Sequence, residues 1–410
     1  MKKIFLLVAL CVIAGGAFAQ KKNVNRANLE LKQENPKIDE ARRLLKEARE
    51  FAETKDQAKT WWVSAEVEDY VYNQNDNKRI VGQGFDANAM YKALEDQYNY
   101  LLQTLKLDSL PNEKGKISPK YTKKVVARIQ ERHSGFWDAA VTYYKDKNYK
   151  KAYDMWEIYL LIPEKYGISE AKQKQLEETG GVDSTYIFGR YYAALAAYLS
   201  KDYELAIPAL NRAKQDNFES FTIYQCLNEF YMNQKDTANM FAISQEALER
   251  FGVNKDTENF LLQMINIYIS NDEIKEAIAY LDKAIAANPR AEYWKVKGRL
   301  YEEINDEANA VACFEKALEI NPEMADVWSE LGRVYYNKAY EESQEINKIK
   351  SDKEYQKARE ERIFPLYRKA LPYYEKAYSL DPNNQDCIFA LKGIYYTLGD
   401  DAKLKALEGK

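Results

Sequence analysis

Apolar and small residues recur at three- and four-residue steps along nearly the whole chain, broken by short polar turns, and this pattern predicts helices that come in pairs. It is clearest between Trp294 and Pro322. Trp294, Gly298 and Tyr301 fall on one stripe of a first helix, and Ala310, Phe314 and Ala317 fall on one stripe of a second. Small Gly298 and Ala310 let the two backbones approach, while the rings fill the space that remains. Pro322 predicts the end of the second helix, because it has no amide proton and pushes Asn321 out of helical torsions. A single pair of this kind cannot bury its own apolar face, so copies must stack.

The copies are present. Upstream, Leu261, Ile265, Tyr268, Ala277, Leu281, Ala284 and Pro289 repeat the frame, with Pro289 lying 33 residues before Pro322. Downstream, Trp328, Leu331, Gly332 and Tyr335 open another first helix, but its second helix arrives late, at Ala370, Tyr374, Ala377 and Pro382. Ile388, Leu391 and Tyr395 start a last helix that Gly399 and Asp400 stop, and residues 401–410 are expected to cap the array. Weaker copies lie N-terminal: Phe136, Ala140, Tyr143, Ala152, Trp156 and Tyr159, then Ala194, Ala197, Ala206, Leu210 and Ala213. Tyr224, Leu227, Tyr231 and Ala247 suggest a degenerate one, and Ala41, Leu45, Ala48, Trp61 and Ala65 extend the pattern further toward the start.

The set Trp294, Gly298, Tyr301, Ala310, Phe314, Ala317 and Pro322 resembles the tetratricopeptide repeat, whose period is about 34 residues. Lys297 departs from the usual Leu. The resemblance is strongest from 258 to 382 and looser elsewhere. It implies an all-α fold, an α-α superhelical solenoid of helix-turn-helix repeats, that holds a protein or peptide partner and carries out no catalysis. Relative to the family period, the 339–364 region holds roughly 26 extra residues. Crowded with Glu341, Glu342, Lys348, Lys350, Lys353, Lys357, Arg359 and Arg362, it is expected to form a solvated charged hairpin that lengthens both helices of its repeat, with Pro365 and Pro372 bending the return; a docking arm or dimer contact is the other reading.

The organisation expected is a leader over 1–19, a divergent helical region over 20–130, degenerate repeats over 131–256 and regular repeats over 257–410. A division near Gly252 to Asp256 into two halves is the alternative to one continuous array. Loops are expected at Asn73–Gly84, Asp108–Pro119 and Glu177–Ser184, where glycine, proline and polar residues gather. The leader resembles a bacterial export signal: Lys2 and Lys3 precede an apolar run from Ile4 to Ala14, and Ala17-Phe18-Ala19 supplies the small residues of a cleavage site. That run is short for a membrane span, and Leu10 before Cys11 departs from the Gly or Ala of a bacterial lipobox. Release into the periplasm or envelope of a Gram-negative bacterium is therefore expected.

In proteins of this family the first helices line a groove, and positions two, five, nine, twelve and thirteen face it. The frame carried across gives Asn259, Leu262 and Asn266, then Lys295 and Arg299, then Ser329, Arg333 and Tyr336. Asn266, Arg299 and Arg333 share one position in three successive repeats. Their ladder of donors loosely resembles the carboxylate clamp with which some tetratricopeptide co-chaperones grip a client's C-terminus. Glu292, Glu302, Glu303 and Asp326 stand close enough for the opposite reading, internal ion pairing. The same frame places Trp137, Tyr144, Phe188, Tyr191 and Tyr198 as an aromatic wall for sugar or apolar side chains, or as ordinary core.

Charge and chemistry exclude other classes. Once Lys2 and Lys3 leave, 58 basic residues face 64 acidic ones and the formal charge moves from −4 to −6, which offers no footprint for nucleic acid. Charged residues make up 30% and apolar ones 46%, and 33 tyrosines read first as fillers between helices. Cys226, Cys313 and Cys387 lie on separate predicted helices, and their odd number and spacing suit neither a disulfide framework nor a metal site. His133 is the sole histidine, so no histidine-based nucleophile or metal set can be assembled. Neither a phosphate-cradling glycine loop nor a dinucleotide fingerprint occurs, and no cofactor is expected. The high tyrosine and tryptophan content keeps a glycan-binding helical envelope protein as the alternative to a protein-binding scaffold.

Overall fold

The computed structural model describes residues 21–111, 115–178, 184–216 and 218–408, and no strand occurs among them. The leader at 1–19 lies outside the described residues. Contacts gather into two units, 1–227 and 228–410, which divide within the helix Ser220–Asn233.

In the second unit the paired-helix pattern appears as expected. Glu258–Ser270 pairs with Ile274–Ala287, Ala291–Glu303 with Glu307–Ile320, and Ala325–Ile346 with Phe364–Leu380. The second and third pairs are each locked by a ring over a glycine. A Cβ on Gly298 would lie 2.5 Å from the Phe314 ring, and one on Gly332 would lie 2.7 Å from the Tyr374 ring. Gly332 and Tyr374 thus meet across the long insertion as Gly298 and Phe314 do without one. The pre-proline residues leave helical torsions as sterics require: Asn288, Asn321 and Asp381 have φ of −152°, −137° and −135°. Trp328 then ties the next repeat to this turn by donating from Nε1 to the Pro322 carbonyl at 2.8 Å.

The turns inside the pairs share one geometry in both units. Lys147, Lys201, Lys235, Asp272 and Asn305 all sit in the left-handed region, with φ between 57° and 64°. In four of them the next residue donates back to a tyrosine carbonyl five positions earlier: Asn148 to Tyr143 at 2.8 Å, Asp236 to Tyr231 at 2.9 Å, Glu273 to Tyr268 at 2.9 Å and Asp306 to Tyr301 at 2.8 Å. This is a Schellman closure, and Gly399 repeats it in the last turn. Asp236 and Asp306 also cap the following helix by accepting from the Asn239 and Asn309 amides. One residue therefore ends one helix and starts the next.

The first unit has longer helices and a different adhesive. Ala58–Ile80 and Ala87–Asp108 form its most extensive pair. Glu68, almost fully buried, accepts a two-pronged grip from Arg42 at 2.9 and 2.5 Å. Asp69 binds Arg132 at 2.7 Å and Gln97 at 2.6 Å, and Arg128 joins the same carboxylate. Asp108, buried at the end of its helix, accepts from the Lys120, Tyr121 and Thr122 amides and the Thr122 hydroxyl at 2.8–2.9 Å, which ties residues 120–122 to that helix end. Burial works to raise the Asp108 carboxyl, but these four donors outweigh it and hold it below the ordinary aspartate range.

Two expectations need correction. The loop expected at Asn73–Gly84 is helical to Ile80, because Asn75 bonds back to the Val71 carbonyl and Asp76 pairs with Arg79 one turn on. The 339–364 insertion is not merely a solvated hairpin. Ala339, Ile346 and Ile363 are buried with Tyr355, Phe364 and Tyr367 around them, giving the arm a small core of its own. Its return passes through Asp352–Ala358 and a π-helical turn at Arg359–Ile363 before Pro365 enters the first turn of Phe364–Leu380, where no helical amide is needed. The third expected loop is a helix to Glu178, and 179–183 lie outside the described residues.

Candidate functional site

The regular repeats of the second unit open onto a groove of about 770 Å³, walled by Arg299, Glu302, Ser329, Glu330, Arg333 and Asn337 among others. These side chains come from two successive first helices, all but Glu330 from groove-facing positions. The ladder's arginines thus reach a common space, but they do not reach it free. Arg299 donates to Glu330 at 2.6 and 2.9 Å, and Arg333 binds Glu302 at 2.7 Å and also Glu330. Lys295 is held by Asp326 at 2.9 Å. Burial pushes the Glu302 carboxyl above its ordinary value against the opposing pull of Arg333. Asn266 is exposed on the preceding repeat and does not line this groove. Tyr336 is half-buried, with its ring edge-on to Tyr367 at 5.3 Å and Tyr374 at 6.2 Å.

The groove is acidic. Seven of its lining residues are carboxylates against two arginines. Three of these, Glu303, Glu341 and Asp386, are exposed and have no ion-pair partner among the described residues. Arg299 and Arg333 align across successive repeats of the sequence. Glu302 stands at a groove-facing position of the same frame, but Glu330 does not, and only packing of neighbouring first helices puts it between Arg299 and Arg333.

The aromatic set of the first unit is partly buried. Trp137 lies edge-on to Trp156 at 6.2 Å and to Tyr159 at 5.3 Å, and Tyr144 lies edge-on to Trp156 at 5.7 Å. Tyr191 packs edge-on against Tyr192 and Phe218, and Tyr198 is half-buried. Most of this ring area is used between helices. His133 is nearly buried, stacks on Tyr159 at 4.2 Å and has Nε2 2.9 Å from the Tyr159 carbonyl. Cys226, Cys313 and Cys387 are buried, and burial pushes the Cys387 thiol up to about 11. Among the described residues no helix is long and apolar enough to cross a membrane.

With this geometry in view, the tetratricopeptide repeat profile matches residues 266–290 and 291–324. The chain carries tetratricopeptide repeats in an all-α fold. No curated protein matches it. Among solved structures it is similar to the MamA protein, with 19% identity, a TM-score of 0.35, and coverage of 47% of this chain and 89% of that one. YrrB, described as a tetratricopeptide protein with an unusual peptide-binding site, is 19% identical with a TM-score of 0.35 over 54% of this chain and 98% of that one. The C-terminal part of a repeat protein from Cytophaga hutchinsonii is 16% identical, with a TM-score of 0.37, over 72% and 99%.

Proposed function

We propose that this protein is an exported, non-enzymatic scaffold that binds a segment of a protein partner in the groove of its second unit. The observation that carries the reading is the groove itself, a polar channel of about 770 Å³ built from groove-facing positions of successive repeats. Extended surfaces of this kind are what stacked repeats offer a partner, and tetratricopeptide repeats serve protein and peptide binding. Export is supported by the Lys2-Lys3 start, the apolar run and Ala17-Phe18-Ala19.

Ser329 lines the groove at its middle, so Ser329→Trp fills the channel without removing a charge. Peptides selected from a random display library on the full mature chain should lose binding to this variant and keep it when bulk is added on the outward face at Glu315, which is exposed. Selected peptides indifferent to Ser329→Trp would place binding elsewhere. Export is tested separately: the N-terminal sequence of the protein recovered from the periplasm of its native cell should begin at Gln20, and an intact Met1 in the cytoplasm would refute it.

A further inference from the structure

The frame that places Arg299 and Arg333 on the groove continues into the helix Gln385–Leu398, where it meets a face of different character. Asp386, Phe389, Gly393 and Tyr396 follow one another at three- and four-residue steps and share one stripe. Asp386 already lines the groove. Gly393 sits against the preceding repeat, since a Cβ there would come within 3.0 Å of the Tyr336 hydroxyl. The stripe therefore continues the groove wall rather than turning away from it.

Phe389 is 74% exposed and Tyr396 is 77% exposed, more than any other large apolar side chain among the described residues. Seven residues apart on one helix, they stand about 10 Å from each other along the axis. Gly393 between them is covered by the Tyr336 hydroxyl. About three residues of an extended chain span that distance.

The charge beside the stripe chooses the occupant. Both groove arginines are taken by Glu302 and Glu330, and Lys295 and Lys338 are taken by Asp326 and Glu307. What is left over is negative: Glu303, Glu341 and Asp386. A carboxylate-bearing occupant would have to displace glutamates from both arginines and still face three uncompensated anions, whereas a cationic one meets those anions without breaking a pair.

We propose, building on the groove reading above, that this end of the groove docks an extended segment of a partner protein that carries basic side chains beside a large apolar one. The lysines or arginines lie against Glu303, Glu341 and Asp386. The apolar side chain lies between the exposed rings of Phe389 and Tyr396.

The test uses the full mature chain and three short fluorescein-labelled peptides, measured by anisotropy at low and at physiological salt. One peptide mixes arginine with leucine, one mixes glutamate with leucine, and one mixes arginine with serine. The arginine-leucine peptide should bind tightest. Phe389→Ala with Tyr396→Ala, both at exposed positions that folding does not need, should weaken it roughly tenfold. Glu303→Gln with Glu341→Gln and Asp386→Asn should flatten its salt dependence. Equal or tighter binding of the glutamate-leucine peptide overturns the proposal, as does binding that ignores the aromatic pair. If that acidic peptide is blocked by Ser329→Trp, the groove reading survives and only the partner's chemistry is wrong; if no peptide responds to Ser329→Trp, both fail. Sedimentation that shows a dimer dissolved by the aromatic substitutions would make the occupant a second copy of this chain and overturn the proposal too.

Discussion

In the second unit two helix pairs close with a ring pressed onto a glycine, Phe314 onto Gly298 and Tyr374 onto Gly332, and the ion pairs of Arg299 and Arg333 lie on the groove wall. In the first unit carboxylates largely withdrawn from water take over much of that work: Glu68 is gripped by Arg42, Asp69 gathers Arg128, Arg132 and Gln97, and Asp108 ties residues 120–122 to its helix end. The two adhesives carry different information. A ring on a glycine needs only the right residue at a fixed spacing, so it can be copied from repeat to repeat. A buried carboxylate needs partners supplied from particular distant places, as Asp69 takes Arg132 from 63 residues away, and it cannot be copied without copying its whole neighbourhood. The first unit is thereby held in one specific arrangement, while the second stays interchangeable enough to be recognised as repeats.

The sharpest break in this comparison is Asp69→Ala. It leaves Arg132, nearly buried over the Tyr72 ring, without its main counter-charge, and should cost about 3–5 kcal/mol. Urea unfolding followed by helical circular dichroism reads this loss, and Asp69→Ala combined with Arg132→Met should recover much of it. A cost below about 1 kcal/mol, the value of a surface pair, would dissolve the distinction drawn between the units.

Phe314→Ala is the matching probe of the second unit and should cost about 3–4 kcal/mol through the cavity it opens. Gly298→Ala, which pushes a Cβ into the same ring, should cost about 1–3 kcal/mol. Joined with Phe314→Leu, its cost should fall below the sum of the two, since both act on one contact. Strict additivity would mean that the glycine and the ring are not a lock.

Asp108→Ala should cost about 1–3 kcal/mol near neutral pH by leaving three amides without their acceptor. The sign of its pH dependence follows from a folded carboxyl held below its unfolded value. The stabilisation is complete above the unfolded aspartate range and is lost as pH falls through the folded value, so variant and parent should converge on acidification. A gap that widens in acid would contradict the assignment. The smallest effect belongs to the shared turn. Lys235 is held at φ 57°, so Lys235→Gly should gain about 0.5–1 kcal/mol, and a loss there would show that the lysine side chain supports the turn in a way its exposure does not suggest.

How much of the site could be read in advance follows from the same division. The alignment of Arg299 with Arg333 was visible, and so was the late second helix at Ala370, Tyr374 and Ala377. The stripe of Phe389, Gly393 and Tyr396 was equally within reach, needing only the same frame carried one repeat further. What spacing could not show was that Glu330 would stand between the two arginines, or that Ile346 and Ile363 would give the charged insertion a core.

The order of residues by itself determined the helix pairs, their glycine-ring locks and the proline stops, because these depend on contacts within a few turns of one repeat. Tertiary structure alone decided the buried carboxylate staples of the first unit and the acidic sign of the groove in the second. Both are sums over side chains that approach from different helices, and the strength of each charge depends on how far water has been removed from around it.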